Sequence, residues 1–585
     1  MYFWFLFHMV CLCDMLNWGF LYMYSPLIGG FMDYRKEYER WLEKAPQFHD
    51  ELSAMDEKTL EDAFYRDLEF GTAGLRGVLG AGTNRMNEYV IGRATQGLAN
   101  YLLGSCSTPS VAIGYDSRIK SDVFSKVAAE VLAANGVRVY LYPVLMPVPC
   151  VSFAVRYFKC TAGIMVTASH NPSKYNGYKV YGPDGCQITD DAASAILNAI
   201  EKTDTFSGVK HGDFEGFVSS GDIVYIGEDC YSAFIAEVKK CSVLFGDKVD
   251  KNVAIVYSPL NGAGLKPVLR VLNETGFTNV TVVKEQEQPD GNFPTCPYPN
   301  PEIRAALQLG LEYASRLNAD LMLATDPDCD RVGIAVRDGS EMKLLTGNET
   351  GMLLLDYICS QRVAHGAMPA SPLFVKTIVT SDMAQRIATH YGVRTVNVLT
   401  GFKYIGEQIG LLEAAGHPEN YILGFEESYG YLSGTHARDK DAVNASFLIC
   451  EMFAFYKTRG ISLLDRLNQL YKEYGYCLIR QHSYEFPGSA GFARMKEIMD
   501  GLRSASFASI GGLSVLSVVD YGKGIDGLPK SNVVKFVLEN NCSAIIRPSG
   551  TEPKIKNYVT VTAPDLASAE KVEQAIMEHF EKIFK

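Results

Sequence analysis

No lysine or arginine precedes Arg35. A secretory signal needs a positively charged start and a small-residue cleavage site, so the aromatic, apolar run of residues 1–31 does not read as one. It makes a poor membrane anchor too, because His8 and Asp14 interrupt it and an aspartate in mid-bilayer is costly. The run is expected to be an upstream extension, non-native or disordered, outside the fold, with Met32 opening the soluble chain. None of the 14 cysteines sits in a C-x-x-C pair or in a Cys/His cluster at zinc spacing. That argues against structural zinc and points to reduced thiols, hence a cytoplasmic protein. Basic residues are in the minority, 55 against 67 acidic for a net charge of -12. A general nucleic-acid binder is thereby excluded, though a local basic pocket is not. No G-x-x-x-x-G-K-S/T stretch occurs, which removes a P-loop kinase. What is present is ordinary: 47% hydrophobic and 21% charged residues over 585 positions, too many for a single core.

Past Met32 a helical pattern runs to about Asp67. It stops at Phe70-Gly71-Thr72-Ala73-Gly74-Leu75-Arg76-Gly77, expected to be a glycine-rich loop able to wrap backbone N–H groups and a guanidinium around an oxyanion. Strand and helix patterns then alternate: strands 111–116, 137–142 and 162–166 with helices 121–135 and 150–157. The alternation restarts with strand 253–257, helices 265–275 and 302–317, and strand 320–324. A third round has helices 348–362 and 381–390 with strands 373–378, 394–399 and 421–425. From about Tyr474 short alternating runs take over, the last at 543–546, before a terminal helix near 565–584. Alternation of this kind predicts mostly parallel sheets. The expected fold class is α/β: three related mixed α/β domains at 32–225, 226–342 and 343–473, plus a smaller C-terminal α+β domain at 474–585.

The chemistry gathers at strand ends. Thr167-Ala168-Ser169-His170-Asn171-Pro172 follows strand 162–166 and continues through Tyr175-Asn176-Gly177-Tyr178-Lys179. A strand closing on small, polar, turn-forming residues delivers a side chain to the top of a sheet, where ligands bind. Ser169 can there accept and return a phosphoryl group, given a cation for the phosphate and a base for the proton. By itself the hexapeptide reads equally as an Asn-Pro turn with a serine cap. Asp326, Asp328 and Asp330 alternate after strand 320–324; in an extended loop they point the same way and can converge on one hard cation. An EF-hand is excluded, since Arg331 and Arg337 occupy the positions that require glycine and glutamate. Glu426 and Ser428, in a glycine-flanked loop, offer an acceptor and a hydroxyl to paired sugar hydroxyls, or form a polar turn. His436-Ala437-Arg438-Asp439-Lys440-Asp441 reads as a solvated charge run in which Lys440 can have a tuned basicity. Arg547-Pro548-Ser549-Gly550-Thr551-Glu552-Pro553 combines a guanidinium, two hydroxyls and free amides, a phosphate clamp by chemistry or an ordinary Pro-Gly turn.

The Thr167–Lys179 stretch, Asp326-Pro327-Asp328-Cys329-Asp330-Arg331, Gly424-Phe425-Glu426-Glu427-Ser428-Tyr429-Gly430 and the Arg547–Lys554 stretch resemble, in this order and spacing, the α-D-phosphohexomutase superfamily. The resemblance spans essentially residues 33–585 and is greatest to the long bacterial phosphoglucomutases similar to phosphoglucomutase-2 and glucose-1,6-bisphosphate synthase. It implies four domains around a central cleft, Mg²⁺, glucose 1,6-bisphosphate as activator and intermediate, and small-molecule sugar phosphates as partners. Neither nucleic acid nor membrane is implied, and the oligomeric state, monomer or dimer, is left open. It implies a phosphoserine at Ser169 and metal ligation by Ser169, Asp326, Asp328 and Asp330. It implies substrate contacts from Thr72, Arg331, Thr400, Gly401, Lys403, Glu426, Ser428, Arg547, Ser549, Gly550 and Thr551. Arg76, His170, Lys179 and Lys440 match positions around proton transfer. Where many relatives carry Gly-His after the sugar-loop serine, this chain has Tyr429-Gly430, which fits the same group and leaves the hexose open. The implied reaction moves a phosphoryl group reversibly between C1 and C6 of an α-D-hexose phosphate, glucose first. Phosphomannomutase or phosphopentomutase activity, glucose 1,6-bisphosphate synthesis, and a silent sugar-phosphate-binding protein are the alternatives.

Overall fold

The computed structural model describes residues 33–71, 74–486, 488–525, 527–549 and 554–585. The expectations for residues 1–31 and for Thr72, Gly550 and Thr551 lie outside the described residues. The helical opening is cut into pieces by its own caps. Asp33 caps Tyr34–Lys44, Pro46 opens a 3₁₀ turn, and Asp56 accepts from Thr59 N at 2.8 Å to start Glu57–Phe64. Trp41, Phe48, Leu52 and Phe64 close this end as a small aromatic core.

Four sheets follow. In the first, Ser110–Tyr115, Arg138–Leu141, Ala162–Val166 and Ile223–Tyr225 run parallel. Tyr175–Tyr181, Gly74–Val78 and Phe70–Gly71 are added antiparallel at one edge. The second sheet has Leu321–Thr325, Ile255–Ser258 and Val280–Val282 parallel, with Val332–Asp338 and Glu341–Leu345 returning antiparallel. The third has Arg394–Val398, Leu373–Thr377 and Tyr421–Glu426 parallel, with Gly430–Leu432 antiparallel. Strands such as Ala162–Val166, Leu321–Thr325 and Tyr421–Glu426 are buried at every position, as strands covered on both faces must be. These three sheets are mixed, with the parallel strands in the majority in each. In each, the strand at one edge of the parallel block turns straight back into an antiparallel neighbour, and these strand ends and turns carry Ser169, the three aspartates and Glu426.

Within the expected glycine loop at 70–77, Phe70–Gly71 pairs antiparallel with strand Gly74–Val78. Gly74 has φ +141°, and a Cβ there would lie 1.8 Å from Tyr178 O, so only glycine lets this strand lie on Tyr175–Tyr181. The strand at 175–181 is missing from the sequence expectation, because its polar and aromatic residues hide the alternation. Helix 302–317 begins as a 3₁₀ turn, Arg304–Leu307, before Gln308–Arg316.

The fourth sheet is wholly antiparallel, in the order Tyr476–Glu485, Lys554–Ala563, Cys542–Pro548, Val534–Leu538, Leu513–Asp520, Ser509–Ile510. One face (Val534, Phe536, Leu538, Ala544, Ile546, Val559) packs on helices Gly488–Ser504 and Leu566–Phe584. From the other, Ile545 and Tyr558 join Ile378, Val379 and Leu399 of the third unit. Among the described residues no helix is long and apolar enough to cross a membrane, and the described cysteines are free thiols.

Candidate active site

Ser169 is buried at the end of Ala162–Val166 with φ +51°, a conformation that a non-glycine residue holds only when its surroundings insist. The insistence comes from below. Thr167 Oγ1 accepts from Ser169 N at 2.8 Å and donates to Asp116 Oδ2 at 2.6 Å. The fully buried Arg118 guanidinium donates to the carbonyls of Ser169 and Asn171, and to those of Pro172 and Tyr175 at 3.0 Å each. Asp116 balances its charge at 3.4 Å, and the Phe293 ring of the second unit lies 5.1 Å from the guanidinium. The result presents the Ser169 hydroxyl 3.2 Å from His170 Nδ1 and 3.0 Å from Asp326 Oδ2, to which it donates. Burial, then the charges of Arg331 and Arg76, press the His170 pKa well below its ordinary value, so the imidazole is neutral at pH 7.

The three aspartates do not lie in an extended loop. They form a tight turn in which Cys329 has φ +51° and Asp326 Oδ1 accepts from Asp330 N and Arg331 N at 3.1 Å each. Their carboxylates still converge, with one oxygen from each lying within 4.8 Å of the others, all buried. The backbone of the turn is held by the starts of three helices, one from each α/β unit. Pro327 O accepts from Ala263 N at 2.8 Å, Asp328 O from Val148 N at 3.0 Å and Cys329 O from Ala442 N at 3.2 Å. Helix N-termini supply free N–H groups and partial positive charge, which favours an acidic turn at this point. Gly262 permits the approach: a Cβ would stand 2.4 Å from Pro327 Cα.

Burial, then the charges of Asp328 and Asp330, push the Asp326 carboxyl well above the usual range. Burial opposes Asp328 as well, but Lys179 outweighs it and holds that carboxyl at about 2. Lys179 Nζ lies 2.9 Å from Asp328 and 3.6 Å from Asp330; Lys440 Nζ lies 3.1 Å from Asp330 and 3.2 Å from Asp439. Burial works against both ammonium groups, yet these carboxylates raise their pKa values, so both stay charged. Asp328 Oδ1 and Asp330 Oδ1 are buried and, among the described residues, accept no hydrogen bond. Two orphaned carboxylate oxygens beside Asp326 are the donor set of a hard divalent cation, and these residues fit one.

The run His436–Asp441 is a correction to the sequence reading. It is not solvated: Arg438 and Asp441 are 0% exposed and Lys440 is 7%. The third unit encloses it because Asp441 caps helix Ala442–Thr458, accepting from Val443 N at 2.8 Å and Asn444 N at 2.9 Å.

Glu426 ends its strand buried and accepts from Gly401 N at 3.0 Å, which ties the sugar-loop candidate to the Thr400–Gly401 turn. Ser428 is half-buried one turn further on, and Tyr429 O accepts from Val332 N at 3.1 Å, fastening this loop to the strand behind the aspartates. Arg547, on Cys542–Pro548, donates to Thr400 Oγ1, so the fourth unit reaches the same turn. Ser549 N donates to Lys554 O at 2.7 Å at the base of the clamp turn. Arg331 donates to Glu302 at 2.8 Å and stands 3.6 Å from Asp330. Arg76 donates to Asn171 Oδ1 at 3.4 Å from an exposed strand position.

The structure thus gathers Ser169, His170, Lys179, Lys440 and the aspartates at one point, with Arg331 and Arg76 at its rim. Glu426, Thr400, Gly401 and Arg547 form a second connected group. Lys403 stands apart from that group, its ammonium 2.7 Å from Asp190 of the first unit. Sequence reasoning missed Arg118 and Asp116, the brace of the serine turn, and Asp439, which holds Lys440 and accepts from Tyr181 at 3.0 Å. The signal for the brace was available, since Asp116-Ser117-Arg118 ends a buried parallel strand as Ser169 does.

Models of the phosphoglucomutase/phosphomannomutase α/β/α domains I, II and III match residues 67–206, 231–339 and 346–474. A phosphoglucomutase of Staphylococcus saprophyticus is 36% identical over 540 residues, covering 90% of this chain and 96% of the relative. One from Staphylococcus aureus is 35% identical over 560 residues, covering 92% and 98%. Among solved structures, the open form of Paramecium parafusin, a phosphoglucomutase, superposes with a TM-score of 0.66 at 19% identity, covering 89% of this chain and 95% of that one. A phosphoglucomutase/phosphomannomutase family protein of Burkholderia thailandensis gives 0.65 at 18% identity, covering 88% and 96%.

Proposed function

Because the chain belongs to the phosphoglucomutase/phosphomannomutase family of the α-D-phosphohexomutase superfamily, we propose that it interconverts α-D-glucose 1-phosphate and glucose 6-phosphate through a phosphoserine enzyme and glucose 1,6-bisphosphate. The observation that carries this reading is the Ser169 hydroxyl, aimed at Asp326 across the seam between two units and flanked by a neutral imidazole and two buried ammonium groups.

In the forward half-reaction the free sugar hydroxyl attacks the phosphorus on Ser169. The serine O–P bond breaks, a sugar O–P bond forms, and the hydroxyl proton passes to a base. His170 is suited to take it, being neutral and beside the serine; Lys179 and Lys440 are already protonated and instead oppose the charge of the transferring phosphoryl group. The bisphosphate then turns over, and its other phosphate returns to Ser169. Asp326, Asp328 and Asp330, with an oxygen of the serine phosphate, would hold Mg²⁺, which supplies Lewis-acid stabilisation of that charge. Glu426 and Ser428 read the ring hydroxyls. Arg547 and Ser549, with Thr400 and Gly401, hold the non-reacting phosphate, which gives the reorienting intermediate an anchor on the fourth unit.

Intact-mass measurement tests this. The purified protein is expected to carry one phosphoryl group on a fraction of chains, removed by glucose 1-phosphate and confined to Ser169. A chain that never carries it, or that keeps it in the presence of substrate, refutes the mechanism. Turnover of glucose, mannose, ribose and N-acetylglucosamine phosphates then fixes the substrate.

A further inference from the structure

On the side of the molecule lined by none of these residues, a cavity of about 490 Å³ opens where the three α/β units meet. Its walls are helix Val148–Tyr157, helix Glu228–Lys240, the end of helix Gly347–Ala364 and the turn at 433–436. Four cationic side chains line it, Arg156, Lys240, Arg362 and His436, against one carboxylate, Glu237. Arg156 is engaged, donating to Thr435 O at 2.6 Å and to Glu413 at 2.6 Å. Lys240 reaches Glu237 at 2.6 Å from an exposed position. His436 lies 2.8 Å from Asp441; burial would lower its pKa, but that hydrogen bond and the neighbouring Cys241 lift it to about 9, so it is protonated.

Arg362 is the anomaly. Its Nη1 donates to Ala367 O at 3.3 Å, its Nε is buried with no partner, and among the described residues no carboxylate pairs with it. Burial, its largest influence, lowers its pKa, and only the thiols of Cys359 and Cys241 lean the other way. A half-buried guanidinium with no carboxylate beside it is costly, and arginine's planar fork matches a phosphate. Phe153, buried, and Tyr157, 43% exposed, add an aromatic part to the lining.

We propose that this three-unit junction is a second anion site, taking the phosphate of a small phosphorylated metabolite on Arg362 with Arg156 and Lys240 around it. Bound there, the anion supplies the counter-charge Arg362 lacks and bridges helices of all three units. It also rests on the turn at 433–436, from which the chain runs directly through Lys440 to Asp441.

The test is calorimetric titration of the holoenzyme with inorganic phosphate, in Mg²⁺ and saturating glucose 1,6-bisphosphate so that the catalytic cleft is already filled. Wild type is expected to take up one phosphate per chain, and Arg362→Met to bind it at least about tenfold more weakly. The same variant is expected to keep kcat/KM for glucose 1-phosphate within about twofold of wild type, since Arg362 is remote from the reacting groups. Without phosphate it is expected to unfold at the wild-type temperature or above, because a half-buried charge without a counter-charge has gone. If Arg362→Met does not fold, Arg362→Gln is read in the same way. No phosphate uptake by wild type under these conditions, or uptake undiminished in the variant, overturns the proposal.

Discussion

The serine turn and the strand that carries Arg547 are both proposed to handle phosphate, yet they are fastened to their surroundings in different ways. The serine turn is over-determined: four of its carbonyls accept from one buried guanidinium, its first hydroxyl is tied to Asp116, and the aspartate turn facing it is pinned by three helix starts. The clamp side meets the sugar-loop group through Arg547 on Thr400, with an apolar patch of Ile545, Tyr558, Ile378, Val379 and Leu399 beneath. The contrast suits the proposed roles: a fixed hydroxyl for in-line transfer, and an arginine on a separate unit for the phosphate that does not react.

The largest expected effect removes the nucleophile. Ser169→Ala should cut kcat for glucose 1-phosphate on the order of 10⁴-fold or more while leaving circular dichroism and the unfolding midpoint near wild type. Wild-type kinetics in that variant would take the chemistry away from the serine turn. Next comes the clamp. Arg547→Ala should lose about 2–3 kcal/mol of transition-state binding, roughly 30- to 150-fold in kcat/KM, with Ser169 phosphorylation intact. A loss under about threefold would mean that the fourth unit does not hold the substrate phosphate.

The brace separates the two turns more sharply. Arg118→Lys keeps the charge opposite Asp116 but cannot supply the fork that serves four carbonyls. It should lower kcat roughly tenfold and the phosphorylated fraction with it, at nearly constant KM, whereas Arg547 substitutions raise KM. Equal shifts in KM from both would erase the distinction between a positioning turn and a binding turn.

The smallest effect is on stability. His436 has its pKa raised to about 9 in the folded protein, so its pairing with Asp441 stabilises fully below its unfolded pKa near 6.5 and is lost as pH rises through 9. The thermal unfolding midpoint should therefore fall as pH rises from about 6.5 to 9. His436→Gln should flatten that slope. An unchanged slope would show that the junction behind Lys440 owes its firmness to other contacts.

What the sequence determined by itself is what local chemistry determines. Buried runs such as 162–166 and 321–325 were legible as strands because full burial makes them continuously apolar, and the turns that end them were legible because serine, aspartate, glycine and proline have few other uses there. The four motifs marked the family for the same reason. The tertiary structure decided everything that depends on partners far along the chain. Lys179 reaches the aspartates only because Tyr175–Tyr181 turns back beside Ala162–Val166, and a mixed aromatic and polar strand carries no clear period of two. Arg118 became a brace, and the charges of 436–441 became an enclosed network instead of a solvated face, only once residues tens to hundreds of positions away closed around them. Burial and pairing energies of charged groups are set by that enclosure, since the same lysine or arginine is nearly neutral to stability in water and decisive when desolvated.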